Sequence, residues 1–403
     1  MLQRRIPDWV RHAPVPGIRG FALLAGMEST ARAFLVSVLP IVMYRSFKDA
    51  ETVSEIYFVI GIFSFLASLF TPWLARSVPR RYLYTAGVVG LIVGATFPIA
   101  GGTWFVSIGL MLMTVGTVVI SICLNAYVMD YVSRSSLGEC ETKRLFYSGA
   151  AWAIGPFFGI WIMDIWQPAP FVFSIIAAFV LLCTFWFLRL GDGKMIARAK
   201  QQAPSPLSFL GRFLKQPRLM TGWLYAVIRS SGWWVYVVYL PIYAVENGYS
   251  EQTGGITLSL TNSLLLISPL MLRWIRGRVR YAVLVGFIGG GVAFLAATVF
   301  SGMPIAAIVL LIIGSLFLIL LDICGGLPFL MAVRSFERTE MSSVYSTYRD
   351  VSGVITPGLA RLVLLVAPLP GVFAAMAIGL FAAAGLATTI HPRLGAKGYV
   401  IKK

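Results

Sequence analysis

The chain has 403 residues, of which 58% are hydrophobic and only 12% are charged, and it contains 27 Phe, 16 Tyr and 11 Trp. Because soluble domains carry about 25% charged residues, this composition excludes an ordinary water-soluble globule and predicts a protein that lies mostly in a lipid bilayer. The formal net charge of +17 does not call for a nucleic-acid partner, since the basic residues are spread between apolar runs along the whole chain.

Apolar runs long enough to cross a bilayer follow one another from end to end. A hydrocarbon core about 30 Å thick needs about 20 apolar residues in a helix. The runs lack the apolar/polar alternation of barrel strands, so we predict an all-α membrane protein. Twelve transmembrane helices are predicted, over residues 18–44, 53–75, 82–101, 104–130, 145–163, 168–190, 219–245, 254–272, 281–301, 304–332, 346–368 and 371–390.

The basic residues distinguish the two sides of the predicted bundle. Of the 33 Lys and Arg, only Arg45 and Lys48 fall in loops on one side, called here the charge-poor side. Nearly all the others lie in the termini and the alternate loops, on the basic side. The positive-inside rule therefore predicts cytoplasmic termini, in a bacterial inner membrane. Residues 1–17 lack a short apolar core with a cleavage site, so we expect no removable signal peptide.

A long polar stretch divides the chain into two similar parts. We predict an N-terminal six-helix bundle over residues 1–190, a cytoplasmic linker over 191–218 with a short surface helix, and a C-terminal six-helix bundle over 219–403. A shift of 201 residues places Leu39-Pro40-Ile41 on Leu240-Pro241-Ile242. The two bundles are therefore predicted to be pseudo-symmetric, with matched proline kinks.

This layout resembles the major facilitator superfamily over essentially the whole chain. Residues 72–81 read PWLARSVPRR and are similar at their basic end to the family's G-x-L-x-D-R-x-G-R-R loop, with Arg76 in place of the acidic residue. Residues 155–159, GPFFG, resemble the G-P-x-x-G core of the antiporter motif. The resemblance implies a transporter that works by alternating access. It also implies gating roles for Arg76, Arg80, Arg81, Gly155, Pro156 and Gly159.

Ionisable residues inside the predicted helices are the candidates for function, because a charge near mid-bilayer costs at least about 2.5 kcal/mol. In the family that the chain resembles, helices one, four, seven and ten line the cavity, which brings four of the five such residues together. Arg32 lies one turn from Glu28 on the same helix face, although the pair could serve only helix insertion. The five residues are Glu28, Arg32, Arg229, Asp322 and Arg361.

Two roles are predicted for the residues that face this cavity. Glu28 and Asp322 are the candidate proton-coupling groups, since a carboxyl at membrane depth can exchange a proton. The candidate substrate-binding residues are Arg32, Arg229, Asn125, Trp233 and Tyr236. For Arg229 a latch to Glu28 or Asp322 is the alternative, and for the two aromatic residues it is packing or lipid contact.

Charge balance in the cavity suggests what is transported. Two arginines against two acids are balanced until one acid takes up a proton, and the surplus positive charge would then accept an anion. We therefore predict a proton-coupled transporter of a small organic anion or zwitterion. The alternatives are a proton antiporter that exports amphipathic cations or drugs, and a membrane sensor that binds a ligand without moving it.

Other classes of function have little support in the sequence. No nucleophile and base pair is visible, so an enzyme is not expected. No cofactor or metal is expected, because the two histidines, His12 and His391, lie outside the predicted helices and no G-x-x-x-x-G-K-S/T segment occurs. The expected partners are a small-molecule substrate, protons and the lipid bilayer, without nucleic acid, and the expected state is a monomer.

Overall fold

The structure is a computed structural model and describes residues 17–132, 137–188, 206–264, 271, 278–333 and 338–391. Within these ranges the chain is almost entirely helical and forms no β-strand. The prediction of an all-α membrane protein is therefore confirmed. We call residues 17–188 the first half and residues 206–391 the second half.

The helices of the first half match the predicted spans to within a few residues at most ends. Asp49 begins the third of them, because its carboxylate accepts hydrogen bonds from the backbone N–H groups of Glu51 and Thr52. The helices are α1 (Ile18–Ala33), α2 (Val38–Phe47), α3 (Ala50–Ser77), α4 (Arg80–Ala100), α5 (Thr103–Tyr131), α6 (Leu137–Ile165) and α7 (Ala169–Phe187).

The second half begins with a short helix from the predicted linker. In this helix Phe213 packs near Phe329, with ring centroids 6.3 Å apart, while residues 191–205 of the linker lie outside the described residues. The helices are α8 (Pro206–Leu214), α9 (Pro217–Glu246), α10 (Gln252–Leu264), α11 (Val279–Val299), α12 (Pro304–Cys324), α13 (Leu327–Ala332), α14 (Arg338–Tyr345), α15 (Tyr348–Leu364) and α16 (Pro370–Ala387).

The first predicted helix is interrupted, whereas its repeat partner is continuous. Helix α1 ends at Ala33 and α2 begins at Val38, shortly before Pro40, which cannot donate a backbone hydrogen bond. Helix α9 runs through Pro241 without a break. The two proline sites therefore differ in their local structure, and matched kinks at them stay a prediction. Ser37 lies in the interruption between α1 and α2, and its hydroxyl donates a hydrogen bond to the carbonyl of Pro156 on α6, at 2.7 Å. This bond stabilises the interruption.

Nine stretches of described helix are long and apolar enough to cross a membrane, and the chain is an integral multi-pass membrane protein. The total of twelve spans stays a prediction, since α9, α10 and α15 are not among the nine. The stretches are Ile18–Phe47, Ala50–Ala75, Arg80–Ala100, Thr103–Val128, Glu139–Ile165, Ala169–Phe187, Val279–Val299, Pro304–Phe329 and Pro370–Ala387.

Packing within each half and between the halves involves different helices. In the first half α1 packs on α6 and α7, and α4 packs on α5. In the second half α11 packs on α12 and α16. The halves meet where α3 packs on α15, α6 on α10 and α2 on α9. These three contacts position the candidate site. It lies between them and the basic side of the bundle.

Candidate functional site

Ion pairs join the two halves on the charge-poor side. Arg361 of α15 pairs with Glu51 of α3, and its Nε atom lies 3.5 Å from Oε2 of Glu55. Arg45 of α2 pairs with Glu251, which precedes α10. Burial raises the pKa of Glu251, although the neighbouring Arg45 guanidinium opposes this shift. The carboxyl therefore takes up a proton more readily here than in water, and on protonation it loses the charge that pairs with Arg45.

Between these ion pairs and the middle of the molecule, helices of the two halves also pack closely against each other. The hydroxyls of Ser54 and Tyr239 lie 2.8 Å apart and link α3 to α9. A Cβ atom added to Gly61 would lie 2.3 Å from the carbonyl oxygen of Gly353, so the backbones of α3 and α15 are in direct contact. The charge-poor end of the space between the halves is therefore closed.

The GPFFG segment lies where α6 packs on the interrupted first helix. A Cβ atom added to Gly159 would lie 2.0 Å from the carbonyl oxygen of Phe34, and Gly155 is similarly close to α1. The carbonyl of Pro156, between these two glycines, accepts the hydrogen bond from Ser37. The segment thus sits at a tight helix contact, while its gating role stays a prediction.

The same part of α6 also meets the second half. The backbone N–H of Phe157 donates to Oγ of Ser259 on α10, at 2.8 Å. Nearer the charge-poor end, the amide of Gln252 donates to the carboxylate of Asp164, at 2.8 Å. Residues 155–159 therefore lie between α1 and α10 and contact both halves.

Two of the basic loop residues predicted to act as gates, Arg80 and Arg81, make contacts within the first half. Arg80 forms an ion pair with Asp130 at the end of α5. The guanidinium of Arg81 lies 5.0 Å from the centroid of the Tyr82 ring. Arg76 belongs to α3, and its side chain lies outside the described part of the structure. A role in gating remains a prediction for all three arginines.

On the first half, the predicted pair on α1 forms. Nη1 of Arg32 donates to Oε1 of Glu28 at 2.9 Å, as their spacing of four residues predicts. The side chain of Arg32 is 41% exposed and that of Glu28 13%. The guanidinium also lies 5.5 Å from the centroid of the Trp152 ring on α6, a cation–π distance. The guanidinium of Arg32 is therefore partly exposed, and it is held by the more buried carboxylate of Glu28.

Asn125 of α5 is exposed and has an arginine partner that the sequence did not indicate. Nη2 of Arg144 donates to Oδ1 of Asn125 at 3.0 Å, and Nη1 donates to Glu141 at 2.6 Å. Arg144 was missed because the predicted helix began at residue 145, whereas α6 begins at Leu137. The sequence does place a polar residue, Asn125, inside one apolar run and a basic residue, Arg144, directly before the next run. This placement could have suggested their contact.

On the second half, Arg229 and Asp322 form an ion pair within their own bundle. Nε of Arg229 lies 2.9 Å from Oδ1 of Asp322, and the indole N–H of Trp233 donates to Oδ2 at 2.8 Å. The Asp322 side chain is 35% exposed, although it is held by both neighbours. Of the two partners considered for Arg229, the structure selects Asp322 over Glu28.

Tyr236 is placed differently from the other predicted substrate-binding residues. It is fully buried, and its hydroxyl lies 2.6 Å from Oγ1 of Thr261 on α10. In this structure Tyr236 holds α9 against α10 and does not line the open space. Contact with substrate would require a different arrangement of these two helices, and that role stays a prediction.

Two neighbouring residues at the start of α15 also belong to the site. These residues are Tyr348 and Arg349. The guanidinium of Arg229 lies 5.2 Å from the centroid of the Tyr348 ring, and the guanidinium of Arg349 lies 5.7 Å from it. Arg349 is exposed. The sequence interpretation assigned it to the basic loops, because it lies close to the end of a predicted span.

Comparisons with known proteins identify the family of the fold. The sequence profile of the Major Facilitator Superfamily matches residues 21–357. Similar solved structures include a POT family transporter in complex with a thioalcohol-conjugated peptide, with TM-score 0.76, 13% identity and coverage of 93% of this chain and 95% of that chain. No curated protein matches the chain in sequence.

Two further solved structures share the fold. A POT family transporter in complex with 5-aminolevulinic acid has TM-score 0.74 and 14% identity, covering 94% of this chain and 96% of that chain. The nucleoside transporter NupG has TM-score 0.66 and 12% identity, covering 92% of this chain and 98% of that chain. At these identities the similarity shows the fold alone.

Proposed function

The chain belongs to the major facilitator superfamily of transporters, and from this premise we propose that it is a proton-coupled secondary transporter that moves a small organic anion or zwitterion. One observation carries the proposal: each half presents an arginine, Arg32 or Arg229, that is paired with an acid of the same half and lies against an aromatic ring. The site thus offers fixed positive groups for an anion and nearby acids for a proton or an ammonium group.

Ion pairing inside each half is what links the substrate to the proton. A substrate carboxylate that approaches Arg229 must compete with Asp322, since both anions use the same guanidinium. If Asp322 takes up a proton, it loses its charge, and the guanidinium is free for the substrate. Arg32 and Glu28 are arranged in the same way on the opposite half. Anion and proton are therefore expected to bind together.

Alternating access is supported by where the halves touch. The contacts through Glu51, Gly61 and Asp164 lie towards the charge-poor side. Arg32 and Asn125, on the basic side of these contacts, are exposed to solvent at least in part. We propose two six-helix bundles, over residues 1–190 and 219–403, which rock about the site, and a monomer with both termini in the cytoplasm of a bacterial cell. This structure then represents the state open to the cytoplasm.

Counterflow in proteoliposomes tests the transport function. A thermal-shift screen of anions, zwitterions and lipophilic cations on purified protein would first select a ligand, since ligands that bind the native state stabilise it. We expect vesicles loaded with unlabelled ligand to take up the labelled form by exchange. Binding without any exchange would contradict transport and favour the sensor.

The sign of proton coupling distinguishes the anion transporter from the cation antiporter that the GPFFG resemblance allows. A bound anion weakens the influence of Arg32 on Glu28, so we expect ligand addition to cause proton uptake in weakly buffered detergent solution. Glu28→Gln should reduce the uptake, whereas the control Glu139→Gln, at an exposed residue paired with Lys143, should not. Proton release would instead support the antiporter.

Both acids must be tested before the coupling mechanism is judged. Glu28 and Asp322 lie on different halves, and either could carry the proton alone. Asp322→Asn is therefore measured beside Glu28→Gln under the same conditions. Proton uptake that is unchanged in both variants would show that neither acid is the coupling site.

A further inference from the structure

Two arginines of the second half lie against one aromatic ring, and an acid is paired with one of them. The ring of Tyr348 on α15 lies close to two guanidinium groups, that of Arg229 on α9 and that of Arg349 on α15. Arg229 in turn forms an ion pair with Asp322 on α12. Nε of Arg349 also donates to the hydroxyl of Tyr348 at 3.1 Å. The ring therefore holds two like charges close together, which costs energy unless anions offset them.

The two arginines differ in how their charge is balanced. Arg229 has Asp322 at 2.9 Å and its side chain is only 10% exposed. Within the described residues Arg349 is in ion-pair distance of no carboxylate, and its hydrogen-bond partner is the neutral phenol of Tyr348. Asp322 and the adjacent Asp350 act on Arg349 only from beyond ion-pair distance. Since a guanidinium stays protonated at any working pH, the charge of Arg349 is permanent. Arg349 is also exposed, so its remaining N–H donors are free to bind a ligand.

We propose that Arg349 binds the anionic group of the substrate, a carboxylate or a phosphate, beside the Arg229–Asp322 pair. This inference rests on the proposed function, because it assigns a substrate group to that same cavity. The planar fork of N–H donors matches both kinds of anion. Asp322 pairs with Arg229 and also attracts Arg349 at longer range, so removal of its charge should strengthen anion binding at Arg349.

Two simple anions serve as probes, inorganic phosphate and glutamate. The purified full chain in a neutral detergent is titrated with each at constant ionic strength, and thermal unfolding reports the apparent affinity. We expect Arg349→Gln to weaken binding of at least one probe by about 10- to 100-fold, as for the loss of a charged hydrogen bond. Arg218→Ala, an exposed arginine on α9, should leave affinity unchanged.

Further variants separate an anion-binding role from a structural one. Arg349→Lys keeps the charge and should bind more tightly than Arg349→Gln, whereas a residue needed only for packing against Tyr348 would fail equally in both. Asp322→Asn should raise the affinity by about tenfold, because a competing charge is removed. If the glutamine variant does not fold, the ranking of wild type, lysine variant and Asp322→Asn still decides the question.

The result separates this inference from transport itself. Loss of probe binding in Arg349→Gln without any counterflow by the wild type would uphold the anion site and contradict the transport function. Counterflow and probe affinity that are both unchanged in Arg349→Gln would uphold transport and overturn the assignment of Arg349. Wild-type protein that neither phosphate nor glutamate stabilises would also overturn it.

Discussion

Arg229→Ala should abolish anion binding and destabilise the protein by about 1 to 3 kcal/mol, because Asp322 would keep its charge and lose its ion-pair partner while it stays partly exposed. Only the indole N–H of Trp233 would remain to hold the carboxylate. We expect transport to fall at least about 100-fold, which corresponds to the loss of one buried charged contact. Ligand titration and thermal unfolding of the same preparation measure both effects.

The matched control lies on the same helix. Arg218→Ala removes an exposed arginine three turns earlier in α9, and it should change neither binding nor stability. The double variant Arg229→Ala with Asp322→Asn should recover much of the lost stability, since no unpaired charge remains, but not binding. Equal binding by Arg229→Ala and Arg218→Ala would contradict a role for Arg229 in the substrate site.

Gly61→Ala should prevent closure of the charge-poor side and reduce counterflow by about tenfold or more. The added methyl group would lie 2.3 Å from the carbonyl oxygen of Gly353, so α3 and α15 would have to separate. Backbone atoms cannot move aside as a flexible side chain can. Because the closed arrangement is required once in each transport cycle, its loss would stop the cycle.

Cysteine labelling reports this separation directly. Ser54 is fully buried at the same interface, so Ser54→Cys, in a chain whose four native cysteines are replaced, should react slowly with a membrane-impermeant maleimide. Gly61→Ala should make this cysteine reactive. Gly90→Ala is the control, since a methyl group there meets only atoms at 3.7 Å or beyond. Slow labelling and normal counterflow in Gly61→Ala would refute the closure.

The fold was predictable because lipid imposes a simple rule on sequence. Each crossing must be an apolar helix of about 20 residues, so runs of that length mark the helices directly. The predicted helix ends are wrong where helices extend beyond the bilayer, because the rule does not apply there. Helix α6 begins at Leu137 and α14 at Arg338, both among charged residues that read as loops. Helices that extend beyond the bilayer need no apolar residues there, and Arg144 was assigned to a loop for this reason. Arg349 lies near the end of the predicted span 346–368 and was counted with the basic loop beside it.

The sequence predicted contacts within one helix, and the family resemblance brought Arg229 near Asp322, but contacts between the halves were not predicted. Glu28 and Arg32 are four residues apart on one helix, so helix geometry alone pairs them. The pairing of Arg361 with Glu51 depends on the relative height of helices from opposite halves, which no local pattern specifies. The interruption after Ala33 likewise depends on the approach of α6 through Gly155 and Gly159.

Accumulation of labelled substrate in proteoliposomes under an imposed proton gradient tests proton-coupled anion transport most directly. We expect wild-type protein to concentrate the labelled anion on the side that the protons enter, and a protonophore to abolish this. A variant without its coupling carboxyl, Glu28→Gln or Asp322→Asn, should keep exchanging substrate in counterflow but should lose the accumulation. Accumulation that persists with the protonophore, or in both variants, would contradict the coupling of the anion to protons through these two acids.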